Sequence, residues 1–256
     1  MIMDKQDLYN KISTVKRLRP LTNCYSMDVV EKAENLWERD GSFLFPYDDH
    51  GIKRLTYFVK DWVSLDSLLA RIETGKYYLE FMTREPEEYT PQNAVLTARM
   101  MRLANADCRS VFQGADVLRY RDDTVGEIAS VDDAREINVL LWSVFRTEVS
   151  HLLTDMELAQ VIQKGQISIH RGDAGIDAVL QAEIMPKKFY INQIVNRTEK
   201  SVIHAMLLNR LCTYVQSGGK YLYAWVEEQN IASQKFHAKY GMVHDGMWNM
   251  VFCLEK

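Results

Sequence analysis

The sequence predicts an α/β protein built from two related domains in tandem, on three observations. Strand-like and helix-like stretches alternate along all 256 residues. One pattern occurs twice: Gly41-Ser-Phe-Leu-Phe with His50-Gly51-Ile52 is answered by Gly165-Gln-Ile-Ser-Ile with Ala174-Gly175-Ile176 at a spacing of 124 residues, and Gly75-Lys-Tyr-Tyr-Leu by Gly219-Lys-Tyr-Leu-Tyr at 144. Between these anchors the first half is shorter by 20 residues, and the missing part corresponds to Phe189–Val195 and the turn after it. The third observation is the stretch Lys220 to Leu254, which reads as strand, capped helix, glycine stop and strand.

The elements follow in chain order. A basic opening segment (Lys11, Lys16, Arg17, Arg19) ends at Pro20. Val29, Val30, Ala33, Leu36 and Trp37 recur at helical spacing, so a helix is expected from Met27 to Arg39, with Gly41 ending it. Ser42–Pro46 and Ile52–Val59 read as strands around a turn at Asp48-Asp49-His50-Gly51. Trp62 to Ile72 has Leu65, Leu68, Leu69 and Ile72 on one helical face. Lys76–Met82 and Val95–Leu103 are strands separated by a proline loop, Pro86 to Pro91.

From Ala115 the pattern restarts. Val125–Val131 is strand-like, and Asp132 or Asp133 can cap a helix running through Phe145. Thr154-Asp-Met-Glu157 has the form of a capping box before a second helix that stops at Gly165. Gln166–His170 and Ala178–Met185 form a hairpin around Gly172-Asp-Ala-Gly175. Phe189–Val195 is a strand, and Lys200–Val215 a long helix closed by Gly218-Gly219. Tyr221–Val226 is aromatic and alternating, as a strand is. Asn230 sits at an N-cap, Ile231, Gln234, Phe236 and Ala238 form a short helix, and Gly241 stops it.

Composition bounds the functions. With 47% apolar and 26% charged residues the chain reads as an ordinary globular protein. A formal net charge of −4 argues against a dedicated nucleic-acid binder. No apolar run is long enough for a membrane span, and the opening Met-Ile-Met-Asp-Lys-Gln-Asp lacks the apolar core of a signal peptide. Cys24, Cys108, Cys212 and Cys253 lie far apart, so no zinc site and no disulfide framework is expected, and a cytoplasmic location follows. His151, His204 and the pair His244-Asp245 show no metal spacing. Asp48-Asp49-His50 reads as a turn rather than a site, and Tyr223, Trp225 and Trp248 as core. No P-loop, GxSxG or GxGxxG occurs.

The closing unit resembles the last part of the acetyl-CoA-dependent N-acetyltransferases of the GNAT superfamily, whose pattern there is N-x-x-A-x-x-L-Y-x-K-x-G-F. Asn230, Lys239, Gly241 and apolar Met242 match; Ser233 replaces the alanine, and His237 stands where tyrosine is usual. The resemblance implies two GNAT-like domains, each a mixed, mostly antiparallel sheet flanked by helices. Residues 1–114 would form a degenerate domain without the cofactor segment, and residues 115–256 a complete acetyltransferase domain.

The resemblance also implies a site. The strand carrying Ile191, Asn192, Gln193, Ile194 and Val195 would splay from its neighbour and expose backbone groups to the pantetheine arm of acetyl-CoA. The following turn and helix start would receive the pyrophosphate, with Arg197, Lys200, Ser201, Ile203 and Ala205 nearby and Asn230 on the next helix. The family's usual Q/R-x-x-G-x-G/A is matched here by Lys200 to Ala205, with Ile203 at the central glycine. A β-branched side chain in that turn is expected to crowd a phosphate. The implied reaction is direct attack of a small-molecule amine on the thioester. His237 as an imidazolium acid, Tyr240 on the same helical side as its substitute, and Glu183 as base are the catalytic candidates. No nucleic acid or membrane partner is expected, and a homodimer is compatible. The alternative is a non-catalytic relative that binds a ligand through a degenerate coenzyme A site.

Overall fold

The computed structural model of the chain describes residues 4–24, 26–114 and 118–256. In chain order the elements are α1 (Lys5–Lys16), β1 (Leu21–Thr22), α2 (Asp28–Glu31), β2 (Trp37–Arg39), β3 (Ser42–Asp49), β4 (Ile52–Val59), α3 (Trp62–Leu69), β5 (Lys76–Thr83) and β6 (Ala94–Asn105). There follow β7 (Glu127–Ile128), α4 (Ala134–Trp142), α5 (Asp155–Gln163), β8 (Ile167–Gly172), β9 (Gly175–Met185), β10 (Lys188–Asn196), α6 (Lys200–Gln216), β11 (Tyr221–Glu227), α7 (Ile231–Ala238) and β12 (Val243–Glu255). This is a mixed α/β architecture with mostly antiparallel pairing. The chain divides into two compact units: Met1–Arg99 with Thr147–His151 and Trp248–Lys256, and Met100–Arg146 with Leu152–Met247. The boundary expected at residues 114 and 115 abuts residues 115–117, which lie outside the described residues.

In the first unit β2, β3 and β4 form an antiparallel ladder, β4 pairs β5 in parallel, and β5 pairs the Trp248–Glu255 part of β12 antiparallel. The strands alternate, so each face is apolar. Phe43, Phe45 and Phe58 meet Leu8 and Ile12 of α1, while Leu44, Leu55, Tyr57 and Leu79 meet Leu65, Leu68 and Leu69 of α3. Asp61 starts α3 by accepting a hydrogen bond from the Ser64 amide. At the hairpin tip between β3 and β4, His50 and Gly51 have φ of 56° and 87°, the left-handed pair that a two-residue turn requires.

Two expectations change here. The helix expected from Met27 to Arg39 is only the single turn of α2. Ala33 instead bridges to Tyr47, and Trp37 opens β2 opposite Leu44, so strand pairing takes residues whose spacing also suits a helix. The repeat also aligns differently in space. Deleting a strand equivalent to β10 would leave β4 antiparallel to β5, yet they are parallel and joined by α3. Thus β4–α3–β5 is the topological counterpart of β10–α6–β11.

A buried ion network ties Thr147–His151 into the first unit. Arg54, 2% exposed, donates to Asp49 at 2.6 Å and Glu80 at 2.5 Å, and to the carbonyls of Thr147, Glu148 and Ser150 at 2.8, 3.3 and 3.4 Å. His151 donates from Nδ1 to Asp49 at 2.9 Å and from Nε2 to Glu80 at 3.2 Å. Burial alone would raise the pKa of both carboxylates, but His151 and Arg54 hold each at about 2. Burial would lower that of His151; the Glu80 charge and the two hydrogen bonds raise it to about 9. The turn Asp48-Asp49-His50 therefore also anchors this network through Asp49.

In the second unit the ladder runs from the Met100–Asn105 part of β6 to β11 antiparallel, β11 to β10 parallel, then β9, β8 and β7 antiparallel. One face packs under α6, with Leu180, Phe189, Ile191 and Ala224 against Ile203, Leu207 and Leu211. The other packs under α4 and α5, with Val179 and Val195 against Ile137, Leu141 and Leu158. The capping box at Thr154 and Glu157 is present, and Ser130 with Asp133 makes another ahead of α4. The strand expected over Val125–Val131 is the two-residue β7, and α4 ends at Trp142 rather than Phe145.

Candidate functional site

The second unit forks. β10 and β11 pair from Lys188 with Tyr221 to Ile191 with Ala224, and the pairing stops there, although β10 runs to Asn196 and β11 to Glu227. β9 stays paired with β10 to Asn196, across a bulge between Ile191 and Gln193 that places the exposed Asn192 outside the alternation. Beyond the bulge the sidedness changes. Ile191 is buried beneath α6, Gln193 and Val195 are buried on the α4–α5 face, and Ile194 turns back toward the α6 core.

The helix α6 begins at the mouth of this fork. Glu199 precedes it in extended conformation and makes no side-chain cap, so its first-turn amides have no cap from that residue. Lys200 is exposed. The Ser201 hydroxyl donates to the Glu199 carboxylate at 3.3 Å. Arg197 donates its backbone N–H to the Asp177 carbonyl at 2.8 Å and its guanidinium to Ser143 Oγ at 2.8 Å, toward α4. Ile203 and Ala205 are not in a turn: helix begins at Lys200, and both side chains are buried, Ile203 in the core against β10 and β11. The crowding expected from Ile203 therefore does not arise; the turn itself is Arg197 to Glu199.

α7 packs beside α6 through rings. Asn230 caps α7 by accepting from the Ser233 amide at 3.0 Å. His204 of α6, 2% exposed, lies between Tyr120 at 4.6 Å and Phe236 at 4.7 Å. Its Nε2 faces the Lys239 ammonium at 3.5 Å and its Nδ1 the Tyr240 hydroxyl at 2.8 Å. An ammonium only donates, so Nε2 holds the lone pair and Nδ1 donates to Tyr240, whose own proton reaches the His204 carbonyl at 3.4 Å. Burial, then the charges of Lys239, Arg119 and Lys200, lower the His204 pKa to about 4. Three cations thus collect around the first turns of α6. In the sequence His204 stood out only for lacking metal spacing, and Arg119 and Tyr120 not at all; a histidine four residues after Lys200 was the available signal.

His237 and Tyr240 differ from their expected roles. His237 is 4% exposed; its Nδ1 donates to the Ser233 carbonyl at 2.8 Å, which leaves the lone pair on Nε2, buried and without a partner among the described residues. Burial lowers its pKa, so the ring is neutral near pH 7 and is an acceptor, not an imidazolium acid. Tyr240 is fully buried with its hydroxyl engaged by His204, and burial raises its pKa.

Glu183 lies on the α4–α5 side. It is the cross-strand partner of Tyr190, and Tyr190 of Tyr223, so the three form one row across β9, β10 and β11. The two tyrosine rings stack at 4.7 Å. Burial, then the Glu183 charge, pushes the Tyr223 pKa up to about 12. One row nearer the fork, Gln181 faces Gln193, with the Gln181 Oε1 atom buried and unpartnered among the described residues. Tyr223 and Trp225 are half-buried on this face rather than core. Arg102, over the Trp225 ring, is neutralised by Asp245 at 2.7 Å.

No protein-family model and no curated protein matches the sequence. Solved structures match the fold. A GNAT-family acetyltransferase from Colwellia psychrerythraea superposes with a TM-score of 0.57 at 13% identity, covering 96% of this chain and 97% of that one. A tandem GNAT protein from the clavulanic acid biosynthesis pathway gives 0.52 at 11%, covering 85% and 81%. L-PGS from Bacillus licheniformis gives 0.51 at 9%, covering 100% and 92%.

Proposed function

We propose that this chain, which has the GNAT fold, transfers an acetyl group from acetyl-CoA to a small-molecule amine. One observation carries the reading: the β10–β11 fork opens at the uncapped start of α6. An extended chain entering the fork meets the β10 edge beyond Ile191, and an anion at its far end meets α6 amides with Lys200, Arg119 and Lys239 close to His204. Acetyl-CoA supplies an activated acetyl group: the amine lone pair makes the C–N bond, the C–S bond breaks with its electrons on sulfur, and one amine proton is released. Glu183 has no ion-pair partner among the described residues and takes that proton, while Tyr190, Tyr223 and Trp225 hold the amine's apolar body.

The test is calorimetric titration of acetyl-CoA, followed by an amine panel. Binding weakened at least tenfold, in order of magnitude, by Lys200→Glu or Arg119→Glu is expected. Absence of heat at millimolar acetyl-CoA would sink the reading. A second reading, a non-catalytic ligand-binding protein, draws on the neutral His237 and the engaged Tyr240. Turnover of any amine, lost in Glu183→Gln, would exclude it.

A further inference from the structure

The first unit contains a fork of the same construction. β4 and β5 pair in parallel only at Arg54 with Tyr78 and Leu55 with Leu79, then diverge, although β4 continues to Val59 and β5 to Thr83. This fork is filled by the chain itself. β1 pairs β4 antiparallel, Leu21 with Val59 and Thr22 with Phe58. Phe58 is paired with Phe43 of β3 on its other edge, so β1 takes the edge that β5 leaves.

At the apex sits Asn23. Its Nδ2 donates to the carbonyls of Leu55 at 2.8 Å and Glu80 at 2.9 Å, one on each diverging strand, and its Oδ1 accepts the Tyr57 amide at 3.0 Å. One carboxamide thus satisfies the three backbone groups that the divergence sets free. Among the described residues no strand takes the corresponding edge of β10 beyond Ile191 in the second unit.

We infer that the β4–β5 fork is a second ligand cleft, shaped for an extended amide-bearing chain and occupied by Leu21–Asn23 as a built-in ligand. The first unit is closed to acetyl-CoA for that reason, and not because a strand is missing. The stoichiometric part rests on the acetyl-CoA reading of the second unit; the occupancy of the fork does not.

Two measurements separate these. Hydrogen exchange on the full chain reads the plug alone. The Tyr57 amide, which makes no use of β5, is protected to the degree of the ladder-bonded Phe58, and in Asn23→Ala it exchanges at least tenfold faster while β10 amides are unchanged. Equal Tyr57 exchange in both proteins overturns the inference. Should Asn23→Ala not fold, an unprotected Tyr57 amide in the unmodified chain overturns it equally. Calorimetry reads the closure: one equivalent of acetyl-CoA per chain, weakened at least tenfold by Lys200→Glu, supports it, and a second equivalent, or one whose affinity Lys200→Glu leaves unchanged, overturns it. Zero equivalents would remove the reading of the second unit and leave exchange at Tyr57 to decide the plug.

Discussion

His151 donates to Glu80 at 3.2 Å while Asn249 donates to the other oxygen of the same carboxylate at 3.0 Å. Glu80 therefore receives Arg54, His151 and Asn249 together, from three separated parts of the sequence. The ring is held charged by this arrangement, with consequences for pH.

His151 is raised to about 9 in the folded protein, above the ordinary 6.5. Its contribution to stability is complete below about pH 6.5 and is lost as pH rises through about 9. Half of the side chain is in solvent (51% exposed), so the expected loss is about 1 kcal/mol. Urea unfolding at pH 7 and pH 10 should show this loss in the unmodified chain and not in His151→Ala; an equal loss in both would exclude His151 as its source.

Arg54→Met removes five donors from two buried carboxylates and three carbonyls. An uncompensated buried charge costs about 3–5 kcal/mol, and unfolding free energies at pH 7 should fall by that amount. A change within about 0.5 kcal/mol, typical of surface positions, would mean that the network is hydrated.

His204 titrates in the opposite sense. Its folded value of about 4 lies below 6.5, so the unfolded chain takes up a proton that the folded chain refuses, and stability falls between pH 6.5 and pH 4. By pH 5 the loss is about 2 kcal/mol. His204→Gln keeps a hydrogen-bonding side chain and should flatten this limb in denaturation curves; persistence of the full slope would assign it elsewhere.

Glu183→Gln separates chemistry from binding. The acetyl-CoA affinity should stay unchanged by calorimetry while kcat for an accepted amine falls about 100-fold, the low end for a general base. An unchanged kcat would take the base role from Glu183.

Local signals in the sequence were legible where the structure obeys local rules. The caps at Asn230 and Thr154, the His50-Gly51 turn and the β11–α7–β12 order were all readable, because caps and turns depend on residues within a few positions. The segment Met27–Arg39 misled because Val30, Ala33 and Trp37 are buried by α1 and β3, partners that helical spacing cannot reveal. Ile203 was placed in a turn because Lys200–Ala205 was matched to the family pattern, although the helix itself was expected to begin at Lys200, where it does begin. The Asp49–His151 contact joins residues 102 positions apart. No spacing rule reaches that far, and Asp49 looked like turn chemistry alone. For Asn23 nothing local distinguished it from other asparagines; its three partners lie on two strands that meet only in space.

The pairing of β5 with Trp248–Glu255 also sets an order of events during synthesis. A ribosome releases Lys76–Thr83 long before the strand that completes its ladder. Through that interval Tyr77, Leu79 and Phe81 sit on an unfilled edge, held to β4 by two residue pairs. The earlier-made strand must therefore wait, with an exposed edge, for residues translated much later. Nascent chains halted before Trp248 should be the stage at which this protein most needs a chaperone.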